Sequence, residues 1–211
     1  MNATIHTHSA ARRGAADPGA TAEPAPSPRA RLLGAALVAA PLLLLASSVA
    51  WLAGSDATRG VLGFYAFAAF ALVVVTLTQS FADTLPRAAA ALTVVGMLGA
   101  AAGVGFSIDA IHSTLPDSVE LIDAGGTAGV LVANVPGLMC PLAFVGIGIA
   151  LLRSGVQPRW CGVALVVAGA LFPLSRIGDV AALGALDDLI FLFALAPLGL
   201  AIMQGRDVLS R

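Results

Sequence analysis

The chain contains no lysine, and all eleven of its basic residues are arginine. Without a lysine amine no Schiff base can form, which excludes retinal binding and pyridoxal chemistry. A P-loop, which also needs a lysine, is excluded as well. Exclusive use of arginine, together with many alanines and glycines, is typical of a GC-rich bacterial genome, so we expect a bacterial protein.

Cysteine and histidine are also scarce. Cys140 lies within one apolar segment and Cys161 opens the next, so we expect no disulfide between them and interpret both as packed thiols. Only His112 belongs to the body of the chain, because His6 and His8 lie in the N-terminal tail. A zinc or haem site built on paired histidines is not expected, and the sequence predicts no metal and no cofactor.

Charged residues are scarce as well. Only 11% of the residues are charged and 58% are hydrophobic, with a mean hydropathy of +0.93. A soluble domain needs more charge to cover its surface, so these apolar side chains must face lipid or one another within it. The net charge of −1 argues against nucleic-acid binding. The predicted fold class is all-α, a polytopic transmembrane helical bundle whose partner is the lipid bilayer.

Six long apolar segments support that fold class. Crossing the bilayer requires about 20 apolar residues for a core of about 30 Å. The segments lie at about 32–54, 61–80, 88–108, 128–152, 160–177 and 180–203. Residues 1–30, rich in Ala, Pro, Ser and Gly, are predicted to form a disordered cytoplasmic tail. Residues 31–204 are then the six-helix transmembrane domain, and 205–211 a cytoplasmic C-terminal tail.

The arginines predict the orientation of these spans. With the N-terminus inside, only Arg59 and Arg176 lie outside, and the other nine arginines lie inside, as the positive-inside rule requires. Both termini are therefore predicted to be cytoplasmic, in a bacterial plasma membrane. The connection 109–125 has no arginine and is expected outside, where LPDSVELIDAGG predicts a short helix beginning at Pro116. Within the third span, Gly96, Gly99, Gly103 and Gly105 predict close helix packing.

Polar side chains recur at one depth. Counted at about 1.5 Å per residue from the cytoplasmic end of each span, Arg176, Asp187 and Asp188 lie about 22–24 Å up. Tyr65, Asn134 and Asp109 fall in the same outer third, at about 22–32 Å. Charges at that depth cost a few kcal/mol unless they are paired or hydrated, so we expect them to face the bundle interior.

Arg176 is the natural partner of Asp187 or Asp188, because one short turn joins their helices. One arginine cannot neutralise both acids, so at least one is expected to keep a mobile proton. The alternative is that these polar groups lie near helix ends and are merely hydrated.

A cytoplasmic turn offers a resemblance. RSGVQPRW, followed by ALFPLSRIGD, resembles small polytopic membrane proteins common in actinobacteria, in which such a turn leads into a span that ends near an arginine. The matching residues are Arg153, Ser154, Gly155, Pro158, Arg159, Trp160, Pro173 and Arg176. The resemblance covers roughly a quarter of the chain. It implies the topology and brings no activity with it.

Three functions are compatible with this pattern. In the first, a membrane-embedded enzyme acts on a hydrophobic isoprenoid or lipid substrate, as small integral-membrane terpene cyclases do. Asp187 or Asp188 would then donate a proton under the influence of Arg176, and Tyr65, Asp109 and Asn134 would bind the substrate. An aromatic content of only 6% counts against this, because carbocations are stabilised by aromatic faces.

The second function is a small proton-coupled transporter, expected to be a homodimer, in which the same acids relay protons. It needs a polar path through the inner halves of the spans, where few polar groups occur. The third is a non-catalytic membrane subunit or immunity protein whose polar layer is structural.

Overall fold

The computed structural model describes residues 26–119, 124–156 and 158–206. Six helices run through these residues: α1 Pro28–Leu52, α2 Asp56–Gln79, α3 Pro86–His112, α4 Gly126–Ser154, α5 Arg159–Ile177 and α6 Ala181–Met203. All six are long and apolar enough to cross a membrane, which confirms the predicted fold class. The chain is a multi-pass integral membrane protein.

Both predicted tails fall mainly on residues 1–25 and 207–211, which lie outside the described residues. Residues 28–30, assigned to the N-terminal tail by sequence, instead form the first turn of α1. The hydroxyl of Ser27 accepts a hydrogen bond from the amide of Ala30 at 3.2 Å, and Pro28 fits the first helical position. A capped start with a proline in the first turn therefore begins the helix earlier than hydropathy indicated.

The short helix predicted to begin at Pro116 is wrong over residues 115–119, which form turns and irregular chain. Asp117 has a φ of 58°, in the left-handed region that a right-handed helix cannot use. Residues 120–123, the next part of that prediction, lie outside the described residues.

The helices form a closed ring in chain order: each packs against the helices before and after it, and α6 packs against α1. The connections at 53–55, 80–85, 155–158 and 178–180 are short, so consecutive helices run antiparallel. Gly54 permits the three-residue turn between α1 and α2, because its φ of 69° lies in the left-handed region that favours glycine. At one end, the Arg29 guanidinium donates to Oε1 of Gln79 at 3.3 Å, joining the start of α1 to the end of α2.

Arginines mark the two ends of this ring. The end that contains Arg29 and Gln79 also holds Arg31, Arg87, Arg153, Arg159 and Arg206, and the opposite end holds Arg59 and Arg176. We call the first the inner end and the second the outer end, following the orientation predicted by the positive-inside rule.

Glycines bring neighbouring helices into backbone contact. A Cβ on Gly34 of α1 would stand 2.7 Å from the carbonyl oxygen of Gly199 of α6, and one on Gly162 of α5 would stand 2.9 Å from that of Gly148 of α4. On α3, Gly99 packs directly against the backbone of Cys140. Small residues therefore set the close helix contacts, as the glycine spacing of the third span predicted.

Three phenylalanines close the axis of the bundle near its middle. Phe70 of α2, Phe144 of α4 and Phe191 of α6 are each 1% exposed, and we call them the phenylalanine triad. Their ring centroids are 4.9–5.7 Å apart in edge-to-face contact, the geometry that aromatic rings prefer. On the inner side of the triad the core is mostly aliphatic, with buried Leu37, Leu77, Ile147, Leu165 and Leu195, and it also contains the buried ring of Phe81.

Candidate functional site

A cavity of about 720 Å³ lies in the outer half of the bundle, with walls from α1 to α5. Its charged and amide-bearing wall residues are Asp56, Arg59, Asp109, Asn134 and Arg176. Asp56 and Arg59 lie in the first turn of α2, and Arg176 lies in the last turn of α5. These three charged residues form the outer rim of the cavity. Deeper in the wall the cavity is bounded by aromatic, aliphatic and glycine residues.

Behind this wall, α1, α5 and α6 meet in a buried polar cluster formed by Ser48, Arg176 and Asp188. Nη2 of Arg176 donates to both carboxylate oxygens of Asp188 at 3.2 Å and to Oγ of Ser48 at 3.1 Å. The Ser48 hydroxyl in turn donates to Oδ2 of Asp188. Asp188 is fully buried, and its charge is matched by a cation and a hydrogen bond, as a buried carboxylate requires. Arg176 therefore pairs with Asp188, one of the two acids that the sequence offered as its partner.

Trp51 and Gly184 hold Arg176 in place. The Trp51 ring lies 5.3 Å from Cζ of Arg176 and 4.2 Å from Cζ of Arg59, within the range of cation–π attraction. A Cβ on Gly184 would stand 3.2 Å from the Trp51 ring, so the missing side chain leaves room for the indole. Sequence analysis missed Gly184, although it lies one turn from Asp188 on the same face of α6.

Asp187 has different surroundings from its neighbour. Its side chain is fully buried, and neither carboxyl oxygen has a hydrogen-bond partner among the residues that the structure describes. Asp187 lies one turn outward of Phe191, and Cys140 lies one turn outward of Phe144. Because those two rings are 4.9 Å apart, Asp187 and Cys140 come together just outside the triad. Cys140 lines the cavity, and Asp187 lies behind it.

The remaining predicted site residues are divided between the cavity and the lipid-facing surface. Asp109, which is 7% exposed, and Asn134 line the cavity together with Arg176. Tyr65 has the predicted depth, but it is 58% exposed on the outside of the bundle, with its ring against that of Phe64. Of the predicted polar residues, Arg176, Asp109 and Asn134 therefore line the cavity, Asp187 and Asp188 lie behind its wall, and Tyr65 faces outward.

Aromatic rings are concentrated at this site. Phe67, Phe106 and Phe172 line the cavity, so with the triad six of the nine phenylalanines of the chain surround it or close its floor. Phe67 joins the two groups, since its ring centroid is 6.4 Å from that of Phe172 and 6.3 Å from that of Phe70. The low overall aromatic content is therefore offset by placement, because three phenylalanines line the cavity.

Over residues 26–119, 124–156 and 158–206, no group of three or more His, Cys, Asp or Glu side chains could hold a metal ion. Comparison of the chain with protein-family models, with curated proteins and with solved structures finds no match.

Proposed function

We propose that the chain is a membrane-embedded enzyme that admits a hydrophobic substrate to the cavity and protonates it with Asp187. The substrate class is an isoprenoid or other lipid with a double bond or an epoxide, the groups that protonation by a buried carboxylic acid converts to a carbocation. This is acid catalysis of the terpene-cyclase type. We place the cavity on the outer side of a bacterial cytoplasmic membrane, from the distribution of arginines between the two ends.

The difference between Asp187 and Asp188 carries this proposal. Asp188 has its charge matched by Arg176 and Ser48, whereas Asp187 is buried with no hydrogen-bond partner among the described residues. A carboxyl group in such a place is more stable neutral than charged, because burying an isolated charge costs far more. Asp187 is therefore the proton donor and Asp188 the fixed anion that keeps Arg176 in place.

The proposed step needs no co-reactant. The O–H bond of Asp187 breaks as its proton adds to the substrate, and the resulting cation is held against the rings of Phe67 and Phe106. The cycle closes when the cation loses a proton from another carbon and the Asp187 carboxylate takes it, so that the product is an isomer of the substrate. Rotation of the small Cys140 side chain is the shortest way to bring the acid into the cavity.

The closed floor of the cavity favours an enzyme over a transporter. The phenylalanine triad blocks the axis, and on its inner side the hydroxyls of Thr76 and Thr78 donate to the carbonyl oxygens of Leu72 and Val74 in their own helix. These hydroxyls provide no polar path to the inner end. A purely structural polar layer would favour partners for both acids, since an unpaired buried polar group costs stability.

The test is conversion of a panel of linear prenyl alcohols, carboxylates and epoxides by the purified protein in nanodiscs, followed by mass spectrometry. Wild type is expected to give products of unchanged mass and new retention time, and Asp187→Asn to give none. Asp83→Asn, at the inner end, is the matched control and should convert as wild type does. The same products from wild type and Asp187→Asn would exclude the proposed role of Asp187.

A further inference from the structure

Two arginines stand together at the outer rim of the cavity. Arg59 lies in the first turn of α2 and Arg176 in the last turn of α5, and both line the cavity. Both guanidinium groups approach the ring of Trp51, at 4.2 and 5.3 Å. Arg59 is further positioned by Ser47, whose hydroxyl donates to the Arg59 carbonyl oxygen at 2.8 Å. The rim is therefore a built arrangement of two cations around one indole.

The charges of these two arginines are matched unequally. Arg176 is held by the buried carboxylate of Asp188. Arg59 approaches Oδ1 of Asp56 only to 3.8 Å, and the Asp56 side chain is 54% exposed, so this ion pair adds little. Asp109 and Asp179 are the further carboxylates near the rim. Because the ion pair with Asp56 is long and exposed, the guanidinium of Arg59 retains the capacity to bind an anion.

The hydroxyls of the cavity wall do not compete for that role. Ser47 donates its proton to the backbone of Arg59, Ser107 to the carbonyl oxygen of Gly103 at 2.8 Å, and Ser113 to that of Ala110 at 3.0 Å. Their protons are used within the protein, so the strongest donors left for a ligand are the two guanidinium groups. A ligand that fits this rim presents oxygen acceptors, and a planar fork of N–H groups suits a carboxylate or phosphate.

The apolar wall below the rim indicates where the rest of such a ligand lies. From Arg59 to Phe67 the helix descends about 12 Å, and to Phe70 of the triad about 16 Å. Between rim and floor the wall presents Leu44, Phe106 and Leu138. An amphipathic molecule therefore fits with its head at the rim and its chain pointing to the floor, beside Cys140 and Asp187.

We infer that the substrate carries an anionic head, a carboxylate or a phosphate, which Arg59 and Arg176 bind while the apolar chain reaches the triad. This inference rests on the proposed function, because it names the substrate class of the same cavity. Arg59 gives affinity for the head, and Asp187 acts on the chain where the chain passes Cys140.

Quenching of Trp51 fluorescence tests the head group directly. In a Trp160→Phe protein Trp51 is the only tryptophan, and the probe is a fatty acid with a nitroxide beside its carboxylate, titrated into phosphatidylcholine nanodiscs. The acid is expected to quench saturably, and its methyl ester and matching amine to bind more weakly. Arg59→Gln should weaken binding of the acid roughly tenfold or more. Arg59→Lys should retain part of the affinity for the acid, because the positive charge remains.

Arg87→Gln removes an arginine at the inner end and is the matched control, expected to bind as the parent protein does. Hexadecanoate and hexadecyl phosphate as competitors then identify which anion is preferred. Equal affinity for acid, ester and amine would overturn the inference, and so would unchanged binding by Arg59→Gln. Tighter binding of the amine would also overturn it and would point to the carboxylates of Asp56 and Asp109.

Failure of the inference and failure of the proposed function give different results. Asp187→Asn is expected to bind the nitroxide acid normally and to convert no substrate. Conversion by wild type without any preference for an anionic head overturns only the inference. Anion-selective binding without conversion overturns the proposed enzyme and leaves the binding site standing.

Discussion

Asp187 and Asp188 are adjacent in the chain and point about 100° apart around the axis of α6, so they meet different neighbours. Asp188 faces α1 and α5, where Arg176 and Ser48 match its charge. Asp187 points toward the bundle axis, beside Cys140 and above the triad. A step of one residue along α6 therefore separates an acid held in an ion pair from an acid with no hydrogen-bond partner among the described residues.

Removing the charge of each aspartate is expected to affect stability differently. Asp188→Asn leaves the partly buried Arg176 without its counter-ion and should lower the free energy of unfolding by about 3–5 kcal/mol. Asp187→Asn replaces a neutral acid by a neutral amide of the same shape and should cost about 1 kcal/mol or less. Reversible unfolding in mixed micelles measures both variants. Equal destabilisation by the two changes would mean that both acids are paired.

The depth of a site residue in the membrane could be predicted from the sequence, but the direction in which its side chain faces could not. Depth follows from span boundaries and helical rise, so Arg176, Asp187 and Asp188 were found in one layer from the sequence. Rotation about the helix axis does not follow from depth. Tyr65 therefore lies at the predicted depth but faces outward, and the sequence could not say which aspartate Arg176 would pair with.

At the scale of helices, length and hydropathy were sufficient to predict six spans, but not their neighbours. Closure of the ring depends on the contact of Gly34 with Gly199, which are far apart in sequence. The phenylalanine triad likewise depends on the faces that three non-consecutive helices turn inward. Neither the glycine contact nor the triad can be recognised from a local sequence pattern, because small and aromatic residues are common in membrane spans. Such residues indicate a helix contact only when the partner helix is known.

The triad predicts the effect of opening the cavity floor. Phe191→Ala removes a ring that is 1% exposed and touches two others, so it should lower the free energy of unfolding by about 3–5 kcal/mol. Phe193→Ala, on the same helix but 67% exposed, is the control and should cost much less. Unfolding in mixed micelles gives the comparison. Similar losses from the two variants would show that the triad is not a packed floor.

For the whole molecule, the outer half contains a cavity and charged side chains, and the inner half is a mostly aliphatic core. Of the arginines that the structure describes, six lie at the inner end and two at the outer end. This asymmetry predicts that the cavity faces away from the cytoplasm.

Cysteine labelling in intact cells tests that orientation. In a protein without its two native cysteines, Ser113→Cys at the cavity rim should react with a membrane-impermeant thiol reagent. Asp83→Cys, in the connection between α2 and α3, should react only after the cells are permeabilised. The reverse pattern would place the cavity on the cytoplasmic side.

Deuterium transfer from D₂O tests the central claim most directly. The proton on Asp187 exchanges with solvent between turnovers, so wild-type protein in D₂O should give a prenyl product that carries one deuterium at the protonated carbon. Asp187→Asn should give no labelled product, while Asp83→Asn labels as wild type does. Equal deuterium incorporation by wild type and Asp187→Asn would contradict the assignment of Asp187 as the acid.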